Sequence, residues 1–543
     1  MEKVSKWLKG GNGAALIRAL LMALLPILCC LVYCASQGRS LGEVYLPSSE
    51  WNDELFYYKQ VEGIVNYGYP LGYFGFNESH ALKLSFAAWS PVLVFPWIIW
   101  GLLFGWNLMS PVLCNIFLMT LCTFLFAWLA KPTWKQLGVG GVLFCLYTPF
   151  VRYMLSVMPE VICFSMLIVF YGLAVNYLRR ERVYKLALLF LLSGVMTLMR
   201  PYMLLFLLLP VCLWIRRSGW KGAAGSAVVL AAVLGMYAYI KHFFGAEYFA
   251  PLFFTDWVDA FFEEGLFGGF RYTFGKLYCM GRDFLGHTVQ GLRTGLASGA
   301  YFAGFLVCMA VLAVQGFRDW RGLRREGAAE EGNGAREEGD VQGMGKRAAR
   351  WVVEVHLAFS FLGMLFALLL MYKLTEGSKH LLTFMAAAVF VISLMETKYY
   401  KKAVLVGLSF AYLYSYQAAD PYDYQVPFVQ EERQACVDAW RQELASGLIL
   451  DKEGAPSYEN AVIWVFNDKV GGLAVNTVWQ LLYALPEGFG ISCCMPDYVL
   501  ENFDSLQCRY LCVVQGGPVE EACIRAGYEK MAEAENTALY RRY

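Results

Sequence analysis

"WSPVLVFPWIIWGLLFGW", residues 89–106, is apolar enough to be taken for a membrane crossing, and whether it crosses sets the sidedness of everything after it. The segment carries Pro91 and Pro96, with Trp89, Trp97, Trp100 and Trp106 at or beside it. Tryptophan favours the lipid–water boundary over the bilayer centre, and a crossing helix needs about 20 apolar residues. The later connectors arbitrate. "KPTWKQ" (131–136), "RRERVYK" (179–185), "RRSGWK" (216–221), "FRDWRGLRR" (317–325) and "TKYYKK" (397–402) are all basic. Short basic connectors stay cytoplasmic. A crossing at 90–105 would place all five outside. A segment that lies along or dips into the outer surface places all five inside.

The second reading leaves eleven spans: 13–35, 110–130, 137–151, 159–178, 184–199, 201–216, 222–241, 295–315, 352–373, 380–395 and 402–417. The N-terminus is then cytoplasmic and the C-terminus extracytoplasmic. The first run follows Lys3, Lys6 and Lys9, as a signal peptide would, but it lacks a small-x-small cleavage site and reads as a retained anchor.

Composition agrees with a helical polytopic membrane protein. Hydrophobic residues make up 58% of the 543 and charged residues 16%, against about a quarter charged in soluble chains. The net charge of +1 points to no nucleic-acid partner. Most of the sixteen cysteines, such as Cys114, Cys122 and Cys163, stand singly in apolar runs, where a thiol acts as a small hydrophobe. No Cys-x-x-Cys or His-Glu-x-x-His motif occurs, and "GDVQGMGKR" (339–347) lacks the spacing and the Ser/Thr of a phosphate loop.

Residues 1–417 thus form a transmembrane domain. Within it, 318–350 is rich in Gly, Glu and Arg without apolar period and reads as a flexible cytoplasmic loop. Residues 418–543 return to soluble composition. "AVIWVF" (461–466) and "YLCVV" (510–514) read as strands, and "QEERQACVDAWRQEL" (430–444) and "PVEEACIRAGYEKMAEA" (518–534) as helices. A small extracytoplasmic α/β domain follows, whose six cysteines would be free to pair in an oxidising compartment.

With sidedness set, ionisable groups gather on the outer face. Asp53 and Glu54 lie in the first outer loop, beside Tyr57 and Tyr58. "VRYMLSVMPE" (151–160) supplies Arg152, Tyr153 and Glu160, and "LMRPY" (198–202) places Arg200 at an outer turn. "EGSKH" (376–380) adds Lys379 and His380, and the long 242–294 loop adds His242, Asp256, Asp259, Glu263, Glu264 and Arg271. Charges at membrane depth are costly and are kept for function or pairing. Plainer roles stand beside each. Asp53 and Glu54 suit a helix start, Glu160 follows Pro159 and suits another, Arg200 would snorkel to headgroups, and Lys379 and His380 are ordinary span-end residues. The sequon Asn77-Glu78-Ser79 matters only in a eukaryotic secretory setting.

The order of these elements resembles the GT-C superfamily of polytopic glycosyltransferases, which includes protein O-mannosyltransferases and aminoarabinose transferases. The matching pieces are the retained first span, "NDELFYYKQVEGIVNYGYP" (52–70), the interfacial segment ending "LLFG", then "MPE", "LMRPY" and "GSKHLL". Glu160 stands where many members have Asp, and Lys379-His380 where many have Arg-Tyr. The resemblance implies transfer of a hexosyl or pentosyl unit from a polyprenyl-phosphate carrier to a glycan, lipid or protein acceptor on the outer face of the membrane. It also implies inversion at the anomeric carbon.

On that reading Asp53 is the base that takes the acceptor hydroxyl's proton. Glu54 binds a sugar hydroxyl or adjusts Asp53 by like-charge repulsion. Arg200, with Lys379 and His380, meets the donor phosphate, while Glu160, Arg152, Tyr153, Tyr57 and Tyr58 line the substrate site. No spacing demands a metal or other cofactor, although Asp53, Glu54 and Glu160 are hard ligands that would accept a divalent cation. Two other classes fit parts of the pattern. A transporter or lipid flippase would show broken helices in repeated halves and charges near mid-span. A non-catalytic scaffold or receptor would use the C-terminal domain alone to bind its partner. Charges at outer ends and the lack of an internal repeat favour the enzyme. Compact outer loops favour a bacterial inner membrane. The C-terminal domain is expected to cover the outer mouth and help select acceptors.

Overall fold

The structure, a computed structural model, describes residues 11–44, 53–68, 74–78, 90–146, 148–245, 254–294, scattered positions from 310 to 322, 338–371, 428, and 431–543 with short gaps. Helices dominate up to residue 371. In chain order they are α1 (Gly11–Ser36), α2 (Asp53–Tyr67), α3 (Phe95–Phe104), α4 (Ser110–Ala130), α5 (Trp134–Leu146), α6 (Thr148–Met154) and α7 (Glu160–Arg179). Then come α8 (Val183–Met199), α9 (Leu204–Ser218), α10 (Trp220–Phe244), α11 (Asp256–Glu263), α12 (Gly265–Thr294) and α13 (Glu338–Met371).

Among the described residues, five helical stretches are long and apolar enough to cross a membrane: Gly13–Ser36, Ser110–Ala130, Glu160–Arg179, Pro201–Ser218 and Trp220–Phe244. Val183–Met199 and Val355–Met371 are apolar and shorter. The expected span 137–151 is divided between α5 and α6. Those at 380–395 and 402–417, and most of 295–315, lie outside the described residues. The ten residues of α3 extend only about 15 Å, half of a hydrocarbon core of about 30 Å. This helix is too short to cross on its own.

Two expected loops contain helix. α13 begins at Glu338, so the end of the polar 318–350 segment is helical; residues 323–337 lie outside the described set. Extending an existing helix adds a hydrogen bond per residue without a new nucleus, which lets an apolar helix run on into polar sequence. The 242–294 connection holds α11 and α12.

α4 packs between α1 and α7, and α9 between α8 and α10. α13 lies against α7, α9 and α12. At its crossing, buried His356 has Nδ1 3.4 Å from the Tyr171 hydroxyl and Nε2 3.3 Å from both the Leu205 carbonyl and Ser360 Oγ. A polar knot of this kind joins three helices where the bilayer offers no hydrophobic drive for helix association.

The C-terminal region builds α14 (Glu431–Ser446), α15 (Pro496–Glu501) and α16 (Pro518–Arg525) around a six-stranded sheet. Its order is β1-β5-β2-β6-β8-β7, with β1 (Phe74–Phe76), β2 (Val462–Val465), β5 (Ile491–Cys494), β6 (Tyr510–Val514), β7 (Glu529–Ala534) and β8 (Thr537–Arg541). A separate hairpin holds β3 (Lys469–Val470) and β4 (Leu473–Ala474). β1, β5, β2 and β6 are parallel, and β8 and β7 antiparallel. β2, β5 and β6 are buried at every position, as parallel strands covered on both faces must be.

Both expected strands are present. The helix expected over 518–534 is not continuous. It stops at Arg525, Gly527 takes a left-handed φ of +74°, and residues 529–534 pair with β8 instead. Glycine at that position is the usual helix stop. Cys493, Cys494, Cys508, Cys512 and Cys523 are buried free thiols rather than disulfides; the Cys436 side chain lies outside the described residues. Burial pushes Cys494 up to about 11 and Cys523 up to about 12, leaving little thiolate at neutral pH.

The edge strand β1 comes from the loop between α1 and α3, more than 400 residues from its partner β5 by the pairing of Phe74 with Ile491. Asn77 and Glu78 follow it with φ of +49° and +58°, a left-handed conformation that Asn tolerates and Glu adopts at a cost. The buried Glu78 carboxylate accepts from the Gln507 and Cys508 amides at 2.7 and 2.8 Å, and the Glu78 amide donates to Ser492 Oγ at 2.9 Å. The asparagine of the sequon accepts from the Met495 amide at 3.4 Å. Glu78→Ala removes the acceptor of two amides, at about 1–3 kcal/mol for each buried group left unmet. Hydrogen exchange should then rise over 74–78 and 506–508 while β2 stays protected. Unchanged exchange over 74–78 would show that Glu78 is not the latch.

Candidate functional site

α2 carries the acidic start of the loop that follows α1. Asp53 is its first residue and Glu54 its second. The Glu54 carboxylate is 1% exposed and accepts from Arg152 Nη1 of α6 at 3.1 Å. Glu160, the first residue of α7, is also 1% exposed and accepts from Arg200 Nη2 at 2.8 Å. Arg200 ends α8, and its Nη1 donates to the Tyr202 hydroxyl at 3.1 Å. Tyr57 of α2 lies near enough to Arg200 to act on its charge. Four elements therefore meet at one end of the bundle, through carboxylate–guanidinium pairs separated by 98 and 40 residues in sequence.

Several sequence expectations resolve here. Arg200 is 1% exposed and ion-paired, so it does not snorkel to headgroups. Glu160 both opens α7 and holds Arg200. Arg152, Tyr153 and Tyr57 are buried, while Tyr58 is partly buried and lies tilted against Trp106 with ring centres 5.3 Å apart. The side chain of Asp53, and all of Lys379 and His380, lie outside the described residues. Among the described residues, no group of three or more His, Cys, Asp or Glu is placed to hold a metal ion.

α2 is fixed from both sides. On one side α3 packs closely: a Cβ on Gly101 would come 2.6 Å from Val65 Cγ2 of α2. Trp97 of α3 lies against Tyr57 at 6.3 Å and donates to Asn115 Oδ1 at 2.8 Å. Asn115 in turn donates to the Met154 and Ser156 carbonyls at 3.3 and 2.8 Å, tying the turn before Glu160 to α4. On the other side, Lys59 donates to Glu62 at 2.8 Å and to the Leu485 and Pro486 carbonyls at 3.0 and 2.7 Å. The Tyr67 hydroxyl donates to Glu487 at 2.9 Å. Burial pulls the Lys59 ammonium below its ordinary value and pushes Glu62 above its own, with the charge of each opposing the shift of the other. Three acceptors offset the desolvation of one ammonium.

Sequence reading passed over Lys59, Glu62 and Asn115. Asn115 had a signal, since a lone amide within an apolar span is expected to bond across helices. Lys59 and Glu62, three apart on a helix, carry no local signal that separates a buried pair from an exposed one.

No family model matches the chain, and no curated protein matches its sequence. Among solved structures, the chain is similar to an oligosaccharyltransferase from Archaeoglobus fulgidus in its apo form. That match has 12% identity and a TM-score of 0.49, covering 94% of this chain and 70% of the other. ArnT from Cupriavidus metallidurans, in the apo state, matches at 12% identity and a TM-score of 0.40, covering 99% and 98%. Likeness at this level assigns neither substrate nor chemistry. The residues themselves place the chain as a helical polytopic membrane protein with a C-terminal α/β region that takes a strand from the first loop.

Proposed function

We propose that the protein is a membrane glycosyltransferase that moves a sugar from a polyprenyl-phosphate carrier to an acceptor at the outer face of a bacterial inner membrane. The observation that carries this reading is the meeting of Glu54–Arg152 and Glu160–Arg200 beside the helix that Asp53 opens. Desolvating such ions costs several kcal/mol each, so pairs buried at one end of a membrane bundle mark a place that needs fixed charge.

Asp53 takes the proton as the acceptor oxygen bonds to the anomeric carbon. The bond from that carbon to the phosphate oxygen breaks, and the polyprenyl phosphate leaves with its electron pair. An already ionised phosphate needs cations rather than a general acid, and the Arg200 corner, with Lys379 and His380, supplies them. A single displacement inverts the anomeric centre. Glu54, committed to Arg152, positions the turn that bears Asp53 rather than touching the sugar. Arg152's charge also offsets the repulsion that Glu54 would exert on an ionised Asp53. Tyr57, Tyr58 and Tyr153 shape the wall of the site. The C-terminal domain, clamped to α2 through Lys59, stands over the mouth and helps select the acceptor.

The direct test incubates purified protein with a panel of polyprenyl-phosphate sugars and a mixture of acceptors, and measures release of free polyprenyl phosphate. Release with no member of the panel would remove the reading. Sidedness has its own test. Single cysteines introduced at 323–337 should label only from the cytoplasm, and ones introduced on the C-terminal domain only from outside. Labelling of both from one face would end the eleven-span arrangement.

A further inference from the structure

α12 presents an apolar face that stays exposed among the described residues. Phe267, Phe274, Tyr278, Leu285 and Val289 are all exposed, Phe267 at 85% and Tyr278 at 71%. Their spacing of seven, four, seven and four residues keeps them within about 60° of arc on a helix of 3.6 residues per turn. Arg271, Arg282 and Arg293 are exposed too, and each stands eleven residues from the next. Eleven residues are just over three full turns, so the arginines form a rail along one border of the apolar stripe, spread over only about 40° of arc. About 100° round the helix from the centre of the stripe, on the side away from the arginines, Thr273, Phe284 and Thr288 are buried against the protein.

The helix is too charged to cross a bilayer, with Arg271, Lys276, Arg282, Asp283 and Arg293 within its 30 residues. Its neighbours set its height. The Phe254 amide, just before α11, donates to the carbonyl of Met371, where the apolar α13 ends, at 2.9 Å. Lys276 binds Asp256 at 2.6 Å and holds α12 to that same point. On the other flank, α10 exposes Val228, Met236 and Phe243 as a lipid-facing helix does, and ends on Lys241 and His242.

We infer that α12 lies in the lipid–water boundary, with its aromatic stripe among acyl chains and its arginine rail on anionic phospholipid headgroups. An apolar stripe bordered by cations on a helix of low net hydrophobicity is the form that interfacial helices take. Each arginine near an anionic surface adds on the order of a fivefold preference. The inference rests on the membrane placement and is independent of the sugar-transfer reading.

The test uses the full chain in nanodiscs of either anionic or zwitterionic phospholipid, with photoreactive benzoylphenylalanine placed at Phe267, Phe274 or Asp283. Lipid adducts are expected at Phe267 and Phe274 and should be several-fold scarcer at Asp283. Yields should be higher in anionic discs, and R271Q/R282Q/R293Q should remove that difference while the protein still inserts and elutes as wild type. Adducts to a second copy of the chain, or equal lipid yields at all three positions, would overturn the placement. A triple variant that keeps the full anionic preference would overturn the role of the arginine rail.

Discussion

Asp53→Asn is expected to lower sugar transfer by about 10²–10⁴-fold, the usual contribution of a general base, while donor binding is retained. That is roughly 3 to 5 kcal/mol of barrier. The substitution keeps the size and hydrogen-bonding reach of the side chain and removes only its ability to accept a proton. It leaves the Glu54–Arg152 pair in place, so α2 keeps its position. A helix-start role predicts the opposite, because Asn caps a helix as well as Asp does, and the variant would then be nearly silent. Turnover measured at saturating donor separates the two, and near-wild-type transfer would end the assignment of Asp53 as base. Glu54→Gln should cost less in chemistry, since its partner is Arg152.

Arg200→Ala is expected to act twice. It leaves the Glu160 carboxylate buried without its guanidinium, a loss of roughly 3–5 kcal/mol in unfolding free energy for a broken buried pair. It also removes the cation assigned to the donor phosphate, so binding of the carrier should weaken. Unfolding and donor titration of Arg200→Ala alone cannot divide these effects, but the double variant Glu160→Gln/Arg200→Met can. Replacing both ions restores most of the stability, because no isolated charge is left behind. Donor affinity should stay low in the double variant if Arg200 meets the phosphate. Wild-type affinity and turnover in a stable double variant would show that the pair only braces α7 against α8.

The sequence by itself determined the solvent of this protein and much of its helical layout. Apolar runs of sufficient length report their partition into lipid directly, and the prolines and tryptophans of 89–106 marked a segment unlike its neighbours. The C-terminal strands over 462–465 and 510–514 were equally legible, because parallel strands buried on both faces are continuous apolar runs. The residues now found in the two buried pairs were also visible as charges at span ends.

Only the tertiary structure decided what those charges do to one another. Glu54 finds Arg152 and Glu160 finds Arg200 across 98 and 40 residues, and neither hydropathy nor period encodes such a choice. The helix expected over 518–534 broke because residues 529–534 gained a ladder with β8, a stabilisation absent from their own sequence. Nothing in the sequence around Lys59 marks it for burial; the Leu485 and Pro486 carbonyls that close around it lie more than 400 residues away. β1 likewise joined a sheet whose other strands lie beyond residue 461. Local pattern records how a segment meets its solvent. Which distant group satisfies a buried ion or an open strand edge is settled only when the folded chain brings the two together.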